Sequence, residues 1–198
     1  GAGIHADQAW EYTTGDRRIV IAVVDSGIEW DQPDLVNKLY LNRGELPPPD
    51  AACGSGSAAD PWDANGDGVF NVQDYTTARG SAQPAAGTVC DPRVTDTNGN
   101  GLIDPEDLIA AFSDGVDTDG NGYIDDISGW DAYYDDNDPL DDTRYGHGTG
   151  EAKDSSAEGN NAIEDIGVCP NCTVMPVRAG DSFICEGNDF AAGVYYAI

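Results

Sequence analysis

The 198-residue chain reads as an α/β protein: a parallel sheet flanked by helices, incomplete within these residues, with a loop region inserted between its strands. Three observations carry this reading. RRIVIAVVDSGI (17–28) and TVMPVRA (173–179) are continuous β-branched runs, which suits parallel strands buried on both faces. Helical stretches follow at about 147–158 and 188–198, and strand–helix alternation favours a parallel sheet. Between the runs, residues 60–142 hold 19 Asp and one Glu against Arg79 and Arg93, a composition unlike that of the flanks.

Taken in order, ADQAWEY (6–12) is a short helix and 17–28 the clearest strand. Residues 41–62 are rich in Pro, Gly, Ala and Ser and read as loop. NDFAAGVYYAI (188–198) is a helix capped by Asn188 or Asp189, with Phe190, Val194 and Ala197 on one face. It carries no stop signal, and two clear strands make too small a sheet to stand alone. The expectation is the first part of a larger fold, with domain bounds of 1–198 for the main body and 60–128 for the inserted region.

There are 37 acidic residues against 9 basic, a formal charge of −28, and Asp outnumbers Glu by 29 to 8. This charge disfavours nucleic acid and anionic lipid as partners. It also strains the compact state unless salt or bound cations neutralise it. No stretch is long and apolar enough to span a membrane, and Gly1-Ala2-Gly3 reads as a processed N-terminus. Five cysteines point to an oxidising compartment and hence secretion. Cys53 and Cys90 flank the first acidic motif and can close a loop. Cys169 and Cys172 form CPNC ahead of a strand, which favours a structural disulfide over a redox dithiol or half a zinc site. Cys185 is then left over, free or paired outside the chain.

DANGDGVFNVQD (63–74) and DTNGNGLIDPED (96–107) share one template. Each has oxygen side chains at positions 1, 3, 5, 9 and 12 and glycine at 6, the spacing of EF-hand calcium loops. Calcium takes six to eight oxygens, so the expected ligands are Asp63, Asn65, Asp67, the Val69 carbonyl and Asp74 in the first loop. In the second they are Asp96, Asn98, Asn100, the Leu102 carbonyl and Asp107. A helical stretch is expected after each, YTTARG and LIAAF. DTDGNGYIDDIS (117–128) fits the first seven positions through Asp117, Asp119, Asn121 and Tyr123, with Asp125 at position 9 and Asp126 at 10 as a different closing ligand. YYDDNDPLDD (133–142) lacks ligand periodicity and reads as a solvated loop.

Asp25 ends a buried strand, where open α/β sheets build their sites. His147 lies in Gly-His-Gly-Thr at a helix start. An Asp that orients a His, which then activates a nucleophile, explains both residues. IVIAVVDSGIEWDQPDL (19–35), the run from 117 to 142 followed by GHGTG, and VMPVRAGDSF resemble the aspartate, histidine and next core-strand segments of subtilisin-like serine peptidases. The resemblance covers nearly the whole chain outside about 43–116. It implies a subtilisin-like fold, Asp25 as the orienting acid and His147 as the general base of a serine endopeptidase acting on polypeptides. The loop pair resembles dockerin repeats, a calcium-folded module.

The family's nucleophile context, Gly-Thr-Ser-Met-Ala, is absent. Ser26, Ser55, Ser57, Ser81, Ser113, Ser128, Ser155, Ser156 and Ser182 lie in other settings. The expectation is a serine supplied by a C-terminal segment or second chain. Gly150, Glu151, Lys153 and Asp154 depart from the family's small, apolar helix start. Two other readings stay open: a calcium-dependent module that docks a partner protein, and an inactive member of the family.

Overall fold

The computed structural model describes residues 3–54, 56, 59–163, 165–182 and 187–198. Gly1, Ala2, Ser55, Ser57 and Cys185 lie outside them. The first helix shortens to α1 (Ala6–Ala9). Strand β1 (Val20–Asp25) pairs in parallel with β3 (Thr173–Arg178), in register from Val20 opposite Thr173 to Asp25 opposite Arg178. A third strand, β2 (Trp130–Asp131), pairs in parallel with β3 at Val177 and Arg178. Its two residues are too few to show a period, so the sequence gives no sign of it. Among the described residues the sheet order is β1-β3-β2.

Helices lie on both faces of this sheet. Val23 clusters with Ala152 of α3 (His147–Ser156). The next residue, Val24, faces Gly193 of α4 (Gly187–Tyr196), since successive strand side chains point to opposite faces. The chain is thus an α/β layer structure with a parallel sheet between helices.

Two expectations about burial are corrected. β1 is not buried on both faces: Val23 is buried, but Val20 and the preceding Ile19 are 42% and 55% exposed. β1 lies at an edge of the described sheet, with β3 as its one neighbour there. Nor does α4 turn the predicted face inward. Phe190 and Val194 are exposed, and Gly193 is the buried position. A Cβ at Gly193 would stand 2.9 Å from Val177 Cγ1 and 3.0 Å from Val24 Cγ1. Close backbone approach at Gly193, with the Tyr196 ring packed on Tyr123 and Trp130, seats this helix rather than the predicted apolar face.

Two apolar clusters form the interior. One joins Val23, Ile28, Trp30, Leu35, Leu39, Ala152 and Val174 around the sheet. The other gathers Val72, Tyr75, Val94, Ile103, Leu108 and Ile127 with Val36, Leu41 and Leu46. Ile109 packs against both. It belongs to α2 (Pro105–Phe112), whose N-cap is Asp104. The Cys53–Cys90 disulfide forms as expected. So does Cys169–Cys172. The helix expected at YTTARG is absent. A single 3-10 turn, Val72–Tyr75, precedes Thr76, which bridges Val89 antiparallel. That pairing takes the β-branched Thr into extended backbone.

Candidate functional site

Asp25 and His147 meet. Nδ1 of His147 lies 2.9 Å from both carboxylate oxygens of Asp25. The joint is built from the residues around them. The amide of Ser26 donates to Asp25 Oδ1 at 2.7 Å. The amide of Gly148 donates to the Ser26 hydroxyl at 3.1 Å, and the amide of Glu29 to the Thr149 hydroxyl at 2.9 Å. The Gly-His-Gly-Thr segment is therefore fastened to Asp-Ser-Gly-Ile-Glu at three points. Gly148 has to be glycine, because a Cβ there would collide with the carbonyl oxygen of Gly27 and stand 3.1 Å from Cβ of Asp25.

Hydrogen bonding to Asp25 raises the pKa of His147, partial desolvation opposes it, and the charges of Asp25 and Glu151 add to the rise. A neutral ring with its proton on Nδ1 donates to Asp25, and its lone pair is then on Nε2, the nitrogen a general base uses. The His147 side chain is 40% exposed, so Nδ1 is anchored on a ring that solvent can still reach.

The loop read as solvated shapes this site. Asp141 is 1% exposed. Its carboxylate accepts from the amides of Tyr145 and Gly146 at 3.0 and 2.6 Å, which fixes the turn into His147. Asp142 pairs with Arg178 at 2.6 Å, and Leu140 bridges Ile28 in parallel. Two-residue tertiary contacts of this kind leave no periodic trace in sequence. A groove of about 350 Å³ is lined in part by Glu29 and Asp141, which brace the His147 segment, though by neither member of the dyad. Asp31, Arg144, and Asn98 and Asn100 of the second acidic loop also line it.

The three acidic loops share one backbone path. In each, the position-1 carboxylate accepts from the amides at positions 4, 5 and 6: Asp63 from Gly66, Asp67 and Gly68; Asp96 from Gly99, Asn100 and Gly101; Asp117 from Gly120, Asn121 and Gly122. The amides of Val69, Leu102 and Tyr123 donate to the side chains of Asp67, Asn100 and Asn121. Asn65, Asn98 and Asp119 accept from the residue two further on. The two glycines of each loop have φ of 78° and 87°, 73° and 89°, and 75° and 98°, a region L side chains rarely enter.

The loops differ at their closure. In the first two, position 12 turns back to the helix cap: Asp74 accepts from Asn71 and Asn65, and Asp107 from Asp104 and Thr97. In the third, Asp125 faces away and accepts from the amides of Asp114 and Gly115. Asp126 closes the ring instead, bound by Asn121, Asn42 and the Tyr196 hydroxyl. Sequence reasoning missed Asn42 and Glu45. Glu45 accepts from the amides of Thr118 and Asp119, and Glu45, Asp117 and Asp119 offer carboxylate oxygens within 4.8 Å of one another. Both residues come from a distant, neutral-looking stretch, so no local spacing marks them. Burial pushes the pKa of Asp74 up to about 7 and those of Asp107 and Asp126 up to about 6.

A sequence model described as the Subtilase family matches residues 16–198. Halolysin of Haloferax mediterranei is 44% identical over 41 residues, a segment that spans 21% of this chain and 8% of halolysin. Among the described residues no helix is long and apolar enough to cross a membrane.

Proposed function

The chain belongs to the subtilase family, and from that premise we propose that it contributes Asp25 and His147 to a secreted, calcium-stabilised serine endopeptidase. The observation that carries this is the anchoring of His147 Nδ1 by Asp25. In the proposed reaction a serine hydroxyl attacks a peptide carbonyl, and His147 takes the proton at Nε2. Asp25 keeps the ring oriented and balances the imidazolium. His147 then returns the proton to the leaving amine, and water releases the acyl group. The serine comes from a C-terminal segment or second chain, since the serines here lie in other settings.

Calcium is the ion that suits the loops, because their donor set is oxygen alone in a repeated turn. Asp63, Asn65, Asp67, Val69 and Asp74 would hold one ion, and Asp96, Asn98, Asn100, Leu102 and Asp107 a second. Asp117, Asp119, Asn121, Tyr123 and Asp126 would hold a third, joined by Glu45. The cation would offset repulsion among carboxylates and tie the 60–128 region to the sheet, where the Tyr123 ring packs on Trp130 and Tyr196. Two disulfides support secretion into an oxidising space. A dockerin-like docking role for the loop pair is the second reading, favoured by the repeated turns alone.

The test is labelling of the intact protein with a peptidyl organophosphonate, together with hydrolysis of a protein substrate. Labelling at a serine is expected, and His147→Ala should lower kcat/KM by about four orders of magnitude or more. Hydrolysis that survives His147→Ala would sink the reading.

A further inference from the structure

One carboxylate near the dyad has no part in the reaction described. Glu151 lies one helical turn beyond His147 in α3, with Oε1 3.9 Å from Nε2. It therefore stands on the opposite side of the ring from Asp25. Resting on the endopeptidase reading above, we propose that Glu151 is a positioning residue at the reactive nitrogen: its carboxylate holds the protonated ring and withholds the base until that proton leaves.

The chemistry follows from hydrogen count. The imidazolium has two N–H groups; Nδ1–H donates to Asp25, and Nε2–H lies within ion-pair distance of Glu151, so both carboxylates favour the charged form. When the Nε2 proton passes to solvent, a lone pair faces a negative oxygen. The flexible Glu151 side chain, 57% exposed, then swings aside and a seryl O–H takes its place. Among the described residues, the titratable groups facing the ring include Asp25 at the end of β1, Glu151 within α3, and Tyr145, whose ring stacks on it with centroids 6.2 Å apart. Asp25 and Glu151 both act to raise the His147 pKa. A base held protonated is lost as pH falls through that raised value, so Glu151 moves the acid limb of activity upward.

The test is the ring titration of His147 by NMR in the intact protein, with its resonance assigned by disappearance in His147→Gln. Glu151→Gln keeps the shape and removes the charge; Glu151→Ala serves as a second variant should the first fold poorly. His147 is expected to titrate about half a pH unit lower in the variant, the size that fits a half-exposed ion pair. The acid limb of kcat/KM should move by the same amount. The difference should shrink as salt rises from about 0.1 to 1 M, because screening weakens an exposed pair but does not alter a purely steric role. An unchanged His147 titration in both variants overturns the proposal. A titration that moves in a protein that never hydrolyses peptides upholds it and refutes the endopeptidase reading instead.

Discussion

Gly148 governs how closely α3 approaches the end of β1, because a methyl group there would meet the Gly27 carbonyl and the Asp25 side chain. Gly148→Ala should therefore push His147 off Asp25. We expect kcat/KM to drop at least about tenfold, with a loss of about 1–3 kcal/mol in stability from overpacking; unchanged kinetics would contradict the close-approach account. Arg178 is a second residue-scale case. It is 2% exposed and paired with Asp131 at 3.1 Å, Asp142 at 2.6 Å and Asp181 at 2.6 Å. Arg178→Ala leaves the buried Asp131 without its cation, and denaturant unfolding should show a loss of about 3–5 kcal/mol. Asp25 and His147 were legible because each sits in a local motif with a mechanical reason: a strand end for one, glycines that admit close approach for the other. Asn42 and Glu45 were not, since each acts on groups far along the chain, and Asp141 was not, since it holds an irregular turn four and five residues on. Nothing next to them in sequence shows it.

The loops were legible as a repeat, but part of their signal has a second meaning. Positions 9 and 12 of the first two loops are also the N-cap and third residue of a capping box: Asn71 with Asp74, and Asp104 with Asp107. That spacing is what a helix start requires with or without an ion. A helix is expected after each loop, at YTTARG and LIAAF, yet only α2 forms. Chelation should lower Tm, and calcium should restore it more than magnesium. The pH response separates ion binding from capping. Asp74, Asp107 and Asp126 hold their protons in the folded, ion-free chain to about pH 7, 6 and 6, whereas the unfolded chain loses them near its ordinary carboxylate value. Stability in chelator should thus fall as pH rises from about 4 to 7. Excess calcium, which needs ionised ligands, should reverse that slope; identical slopes with and without calcium would count against the sites. The groove lined by Glu29 and Asp141 adds a contrast between loops. Asp96→Ala should lower kcat/KM even in protein kept well below its Tm, because Asn98 and Asn100 line that groove. Asp67→Ala, whose loop does not line it, should act on stability alone.

At the scale of the molecule, the formal charge of −28 is a repulsion that calcium at three loops would cancel only in part. Monovalent salt should raise Tm even with calcium saturating, by screening the rest; a melting curve indifferent to salt would contradict this. The fold class was legible from two β-branched runs and the helices after them. What escaped was how those elements meet: the two-residue β2, the exposed start of β1, and a helix seated on glycine. Each depends on which backbone comes close to which, information that hydrophobic period does not carry. The pairing of β1 with β3 also has a kinetic side. From Val20 to Thr173 the separation is 153 residues, and among the described residues β1 has no hydrogen-bonded strand partner other than β3, hence none until that circuit closes. Closure entropy grows only slowly with length, about 0.6 kcal/mol per doubling, but parallel pairing at such separation is slow. The Cys53–Cys90 bond and the folded acidic loops take up much of the intervening slack. Deprived of calcium and in reducing buffer, the nascent chain would spend longer with IVIAVV uncovered, and its yield would be set by self-association in that interval rather than by the depth of the native minimum.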